Sequence, residues 1–185
     1  MQMHIVKHSA VFAVKDLTEQ EEFKEIYACE FFYDENGVPV WPKLAVNFTA
    51  KTQFVYRINK GVLDVSDDKT LNDSMPDDSK RVPFRNMIYL GDGLSDVPCM
   101  KMMRAYGGQA IAVYQESNRI AVEELMAKHR VDFIFKADYS EGTPLDLTVK
   151  NIIRKMAIVD RLGEETSRQL RTIGGDVLPN QVGLF

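Results

Sequence analysis

The sequence contains no run approaching the ~20 consecutive apolar residues of a membrane-spanning helix. Its opening, MQMHIVKHSA, carries histidines and lysine where a secretion signal needs an apolar core. Cysteine is scarce, and Cys29 and Cys99 form neither a disulfide framework nor a metal-binding spacing. Two reduced thiols are the expectation for a cytoplasmic protein. Basic residues are not gathered into a block, and 27 acids outnumber 23 Lys and Arg to give a net charge of −4. That balance speaks against nucleic acid or an anionic membrane as the main partner. No internal repeat is present. What remains is a length of 185 residues, 45% hydrophobic and 27% charged, which suits one soluble domain with a buried core.

The second half of the chain has the clearest rhythm. Met87–Leu90 is a short apolar strand bounded by glycine. Val97 to Tyr106 has helical spacing and stops at Gly107-Gly108, a helix-ending signal. Ala110–Tyr114 is strand-like, a helix follows from Ile120 to about Arg130, and Val131–Phe135 gives a third strand. Thr143-Pro144 then opens a long helix as cap and first helical residue. Alternation of this kind predicts an α/β fold with a parallel sheet. Ligands of such sheets gather at the carboxyl ends of the strands.

The first half is less regular. Ile26–Tyr33 and Val38–Trp41 flank Asp34-Glu35-Asn36-Gly37, and Asn-Gly between apolar runs predicts a β-hairpin near residues 26–41. A helix begins around Thr49, Lys51 and Thr52, runs through Phe54, Val55 and Ile58, and ends near Gly61. Residues 64–82 are polar and acid-rich, which predicts an exposed loop or insertion. The expected organisation is a partial α/β domain over residues 1–162 and a loosely held tail over 163–185.

The chemistry concentrates in NMIYLGDGLSDVPCMKMM, residues 86–103. Asp92 leaves the strand on a glycine turn, so its carboxylate can face a cleft. Asp96 falls in the first turn of the next helix. Two neighbouring carboxylates repel unless a cation lies between them. Hard oxygen ligands with room for water and substrate phosphate suit Mg²⁺. The competing interpretation is that Asp92 starts a turn and Asp96 caps the helix. Spacing alone leaves both open.

MIYLGDGLSDVPCMKMM resembles the fourth signature motif of the haloacid dehalogenase (HAD) superfamily, a hydrophobic strand followed by GDGxxD. NFTAKTQFVYRINKG places Lys51 where that superfamily carries its third-motif lysine. YGGQAIAVY and ADYSEGTPLD resemble the rest of the same Rossmann-like core, and EIYACEFFYDENGVPVWP resembles the hairpin segment of the phosphoserine-phosphatase-like subgroup. The resemblance runs from about Phe23 to Ile158. It implies Mg²⁺-dependent hydrolysis of a small phosphorylated substrate through an aspartyl-phosphate. Asp92 would bind the metal directly, and Asp96 would complete or orient its shell. Lys51 would neutralise negative charge in the transition state. The second motif, a strand ending in Ser or Thr, finds its loosest match in HIVKHS, which makes Ser9 a phosphate-binding candidate beside Gly93.

One departure from the family matters most. The first motif, DxDxT, supplies the nucleophile and an acid/base aspartate, and it occurs nowhere in the chain. Ser66-Asp67-Asp68-Lys69-Thr70 has serine in the nucleophile's position and follows the lysine instead of preceding it. The expectation is therefore the C-terminal portion of a HAD phosphohydrolase, through truncation, an internal start or divergence, inactive alone. Its sheet would be left with exposed edges open to self-association. The alternative is a non-catalytic module that binds a metal or a phosphorylated ligand. His4, His8 and His129 are read as solvated or core residues, with His129 at a helix end.

Overall fold

The computed structural model describes residues 3–7 and 23–174. The chain forms two compact units, divided between Asp73 and Ser74. The division falls inside the acidic segment 64–82.

The amino-terminal unit contains two pairs of strands. β1 (Met3–Lys7) pairs in parallel with β2 (Phe23–Ala28). β3 (Glu30–Tyr33) and β4 (Pro39–Leu44) form an antiparallel hairpin. The hairpin is therefore shorter than the apolar run suggests, because residues 26–28 belong to β2 and the chain breaks step at Cys29. Its turn follows from Asn36-Gly37. Gly37 adopts φ +77°, a left-handed conformation that costs glycine little. The Asp34 carboxylate accepts the backbone N–H groups of Asn36 and Val38, both at 2.9 Å.

Helix α1 (Phe48–Lys60) follows, capped at Asn47, whose side chain accepts the N–H groups of Thr49 and Ala50. It ends at Gly61 with φ +79°, where the Gly61 and Val62 N–H groups return to the Arg57 carbonyl. One face of α1 packs on the sheet. Tyr27, Val46 and Phe54 form the core, and the Tyr27 and Phe54 rings stack at 4.6 Å. The Tyr27 hydroxyl donates to the Leu63 carbonyl at 2.8 Å. Burial, and next the Glu25 carboxylate, push its pKa up to about 12.

Residues 64–73, part of the segment 64–82 expected as an exposed loop or insertion, are mostly exposed but are tied to α1. Arg57, 1% exposed, donates to the carbonyls of Asp64, Val65 and Asp67 and pairs with the Asp68 carboxylate. Lys60 donates to the carbonyls of Leu71 and Asp73. The short helix α2 (Asp68–Asn72) buries Leu71. A polar sequence is held here by cations satisfying backbone carbonyls from within.

The carboxyl-terminal unit is a three-stranded parallel sheet in the order β5 (Ile88–Gly91), β6 (Gln109–Tyr114), β7 (Phe133–Lys136). The α/β expectation thus holds for this half. Helices α3 (Val97–Ala105) and α4 (Arg119–Ala127) make the crossovers, and α5 (Pro144–Thr172) follows β7. Right-handed crossovers put α3 and α4 on one face. Alternating strand residues Ile111 and Val113 face α5 with Phe133 and Phe135, covered by Leu145, Val149, Ile152 and Met156. Helix α5 is capped by Thr143, which accepts the Asp146 N–H, and it runs unbroken past Gly163 to Thr172. Ion pairs such as Glu165–Arg168 line its distal turns. No helix among the described residues is long and apolar enough to cross a membrane.

Candidate functional site

Strand β5 ends at Gly91, and the chain turns through Asp92 and Gly93 into a single 3-10 turn, Leu94–Asp96, before α3 begins. Pro98 at the start of α3 costs no intrahelical hydrogen bond. The turn is organised by Asp96, which is 4% exposed. One oxygen of its carboxylate accepts the Tyr89 hydroxyl at 2.7 Å, and the other accepts the Asp92 backbone N–H at 3.3 Å. Burial, then the Cys99 thiol and the Asp96 carboxylate, push the Tyr89 pKa far up, so the hydroxyl remains a donor. A buried carboxylate needs such donors.

The two glycines of the motif differ in what they do. A Cβ on Gly91 would lie 2.7 Å from both Cβ and Cγ of Asp96 and 2.8 Å from its Oδ2. Gly91 is what allows Asp96 to fold back against the strand. Gly93 has extended backbone, φ −161°, and nothing within 4 Å of where a Cβ would stand. No steric demand fixes glycine at 93.

Asp92 itself is exposed. Its carbonyl accepts the Asn118 side-chain amide at 2.9 Å, which ties the turn after β5 to the turn after β6. Its charge, after burial, contributes to raising the pKa of Tyr139, in the loop after β7. The turns after β5 and β6 thus meet at Asp92, at the end of the sheet where α/β folds bind ligands.

Of the sequence candidates, the structure brings Asp92 and Asp96 into one turn. It assigns them unequal positions, one exposed and one buried under Tyr89. Lys51 lies on α1 in the amino-terminal unit and is 6% exposed, whereas a surface lysine would be expected in that position of an amphipathic helix. Ser9 and His8 lie outside the described residues, and His4 is in strand β1. His129, two residues past α4, has φ +53°. Tyr89, Asn118 and Tyr139 were not singled out from sequence. For Tyr89 the available signal was a hydroxyl in an otherwise apolar strand seven residues before an acid.

Among the described residues no group of three or more His, Cys, Asp or Glu side chains could hold a metal ion. A shallow cleft of about 420 Å³, lined by residues such as Lys80, Arg85, Asn86, Asp160 and Arg171, sits elsewhere. Arg85 and Asn86 immediately precede β5, so this cleft opens at the amino end of the strand, opposite Asp92. Two of its cations are already paired, Lys80 with Asp77 and Arg85 with Asp160.

No family model matches the chain, and no solved structure matches it. An uncharacterized protein of Borreliella burgdorferi is 28% identical over 138 residues, covering 65% of this chain and 46% of the relative. The chain therefore spans about half the length of that relative.

Proposed function

We propose that the chain carries part of a HAD-type phosphohydrolase core, with a phosphate monoester as substrate class and Mg²⁺ as its metal. The observation that carries this proposal is the β5–α3 turn, an exposed acid at the carboxyl end of a parallel strand with the turn after the next strand tied to it. The open outer edge of β5, which pairs only with β6 among the described residues, suits a core lacking a neighbouring strand.

The donor set fits a weak Mg²⁺ site. Asp92 offers one exposed carboxylate, and Mg²⁺ commonly takes one or two carboxylates with waters and substrate phosphate making up the rest. Bound there, the metal would neutralise phosphoryl charge. Asp92 would hold it. Asp96, engaged by Tyr89 and the Asp92 amide, would fix the turn that aims Asp92. By the family resemblance, Lys51 would neutralise phosphoryl charge in the transition state. Neither a lysine nor a metal forms a phosphoenzyme, and without DxDxT no aspartate of the motif is there to attack phosphorus.

The 185-residue chain should accordingly bind Mg²⁺ weakly, with binding abolished by Asp92→Asn, and should not turn over p-nitrophenyl phosphate. Loss of a nucleophile and its acid/base partner removes most of an enhancement that typically reaches ~10⁶-fold or more. The test assays the chain alone and joined to an upstream segment carrying DxDxT. Activity only in the joined protein, lost again in Asp92→Asn and Lys51→Ala, supports the proposal. Turnover by the chain alone would reveal a different nucleophile. Phospholigand binding without turnover in either form would favour the non-catalytic module.

A further inference from the structure

The β3–β4 hairpin is exposed along nearly its whole length. Phe31, Phe32, Tyr33, Val38, Val40 and Trp41 are each between 42% and 71% exposed. With ~150–250 Å² available to each aromatic side chain, the four aromatics alone expose on the order of 400 Å². Strand alternation divides that area between the two faces of the ribbon, Phe32 and Trp41 on one and Phe31 and Tyr33 on the other. An isolated two-stranded ribbon is marginal in water, and this one has an apolar surface with no cover among the described residues.

The two outer edges of the ribbon are not alike. Register shifts leave Lys43 and Val40 as extra residues on β4, while β3 runs without interruption opposite them. Bulges twist an edge away from pairing. Pro42 and Pro39, which lack N–H groups, sit opposite Phe31 and Tyr33. Edge β4 is thus blunted twice over. Edge β3 has neither defence. Because the Asp34 N–H bonds inward to the Val38 carbonyl, antiparallel alternation directs the N–H groups of Phe31 and Tyr33 outward.

We propose that β3 pairs antiparallel with β3 of a second copy of this chain, giving a four-stranded sheet about a two-fold axis at Phe32. In that register Phe31 exchanges backbone hydrogen bonds with Tyr33 of the second copy, and the two Phe32 side chains stand directly opposite. Both hydrogen-bonding positions on each β3 are then used, as an isologous interface requires. The ends bring Glu30 opposite Asp34 of the second copy, and each such pair has a cation at hand. Lys43 already lies 3.0 Å from the Glu30 carboxylate and can bridge to the second acid. Aromatic side chains across the new strand pair add cross-strand contacts. This interface does not depend on the phosphohydrolase proposal.

The test uses the 185-residue chain in analytical ultracentrifugation up to ~100 μM, a range that detects micromolar dissociation constants. Phe32→Lys and Phe32→Glu each place like charges face to face at the axis, and each should be monomeric. An equimolar mixture of the two should recover a discrete dimer, since the axis then pairs opposite charges. Lys43→Ala should weaken dimerisation by leaving Glu30 and Asp34 unbridged. Far-UV circular dichroism confirms that each variant is folded, and Lys43→Ala provides the test if an axis variant is not. Four results would overturn the proposal: a monomeric parent chain; a dimer that persists in both Phe32 variants; aggregates of undefined size that the mixture does not resolve; or association seen only on lipid vesicles.

Discussion

Replacing Gly91 by alanine probes the turn at its tightest point. The added methyl would sit 2.7 Å from two carbons of Asp96, and ordinary contact begins at 3.4 Å. Asp96 must therefore retreat by about 0.7 Å, the difference between those distances. Its bond to the Asp92 N–H is already 3.3 Å long and would be lost, and the 2.7 Å bond from Tyr89 would be distorted. Hydrogen bonds to charged groups contribute roughly 1.5–3 kcal/mol each, and overpacking adds about 1–3 kcal/mol. A destabilisation of about 3–5 kcal/mol is expected, large against a total of ~5–15 kcal/mol. Gly93→Ala is the matched control, since open space and extended backbone should confine its effect to about 0.5 kcal/mol. Native-state hydrogen exchange at Ile111 and Ala112, buried in the central strand β6, reads the stability of this unit specifically. Equal protection in Gly91→Ala and the parent, or an equal loss in Gly93→Ala, would refute the account of the turn.

Arg57→Lys should loosen the segment after α1, because one ammonium cannot span the three carbonyls and the carboxylate that the guanidinium reaches. Limited proteolysis should cut within 64–73 much faster in the variant, and unchanged cleavage would sink the role given to Arg57. Alkaline pH should destabilise the fold through Tyr27 and Tyr89. Both folded pKa values are raised, so their contribution is complete below the unfolded value near 10 and is lost as pH rises through about 12 for Tyr27. Urea midpoints should hold level to pH 9 and fall above 10. A tyrosinate titration in which all seven tyrosines ionise near 10 would refute this.

Several elements could be read from the sequence because short-range chemistry fixes them. Asn36-Gly37 dictates the hairpin turn, Gly61 ends α1, and Thr143-Pro144 starts α5. The alternation of β5, α3, β6, α4 and β7 follows from periodicity alone. Residues 64–73 escaped because their order comes from Arg57 and Lys60 reaching over from α1 to backbone carbonyls. In sequence those two cations look like the polar face of a helix. The parallel pairing of β1 with β2 escaped as well, since composition does not encode which strand a neighbour is. The boundary between β2 and β3 was hidden because residues 26–33 read as one largely apolar run through Cys29, broken only by Glu30.

The two acids of GDGLSD raised a choice between metal ligands and a cap, and the geometry separates them. Asp96 is neither an exposed ligand nor a simple helix cap. Its side chain reaches back to Tyr89 and to the Asp92 amide, so turning it toward a cation would take the carboxylate acceptor from the half-buried Tyr89 hydroxyl and break the turn that positions Asp92. Each lost partner costs about 1–3 kcal/mol, and one water-facing Mg²⁺ contact offers little to offset it. Asp92 is then the acid available to a cation in this turn. A lone carboxylate holds Mg²⁺ weakly, so tight binding at this turn needs oxygens supplied from elsewhere, by a substrate phosphate or by another polypeptide segment. The same turn therefore accounts for both parts of the proposal, a metal-dependent site and one that this chain does not complete by itself.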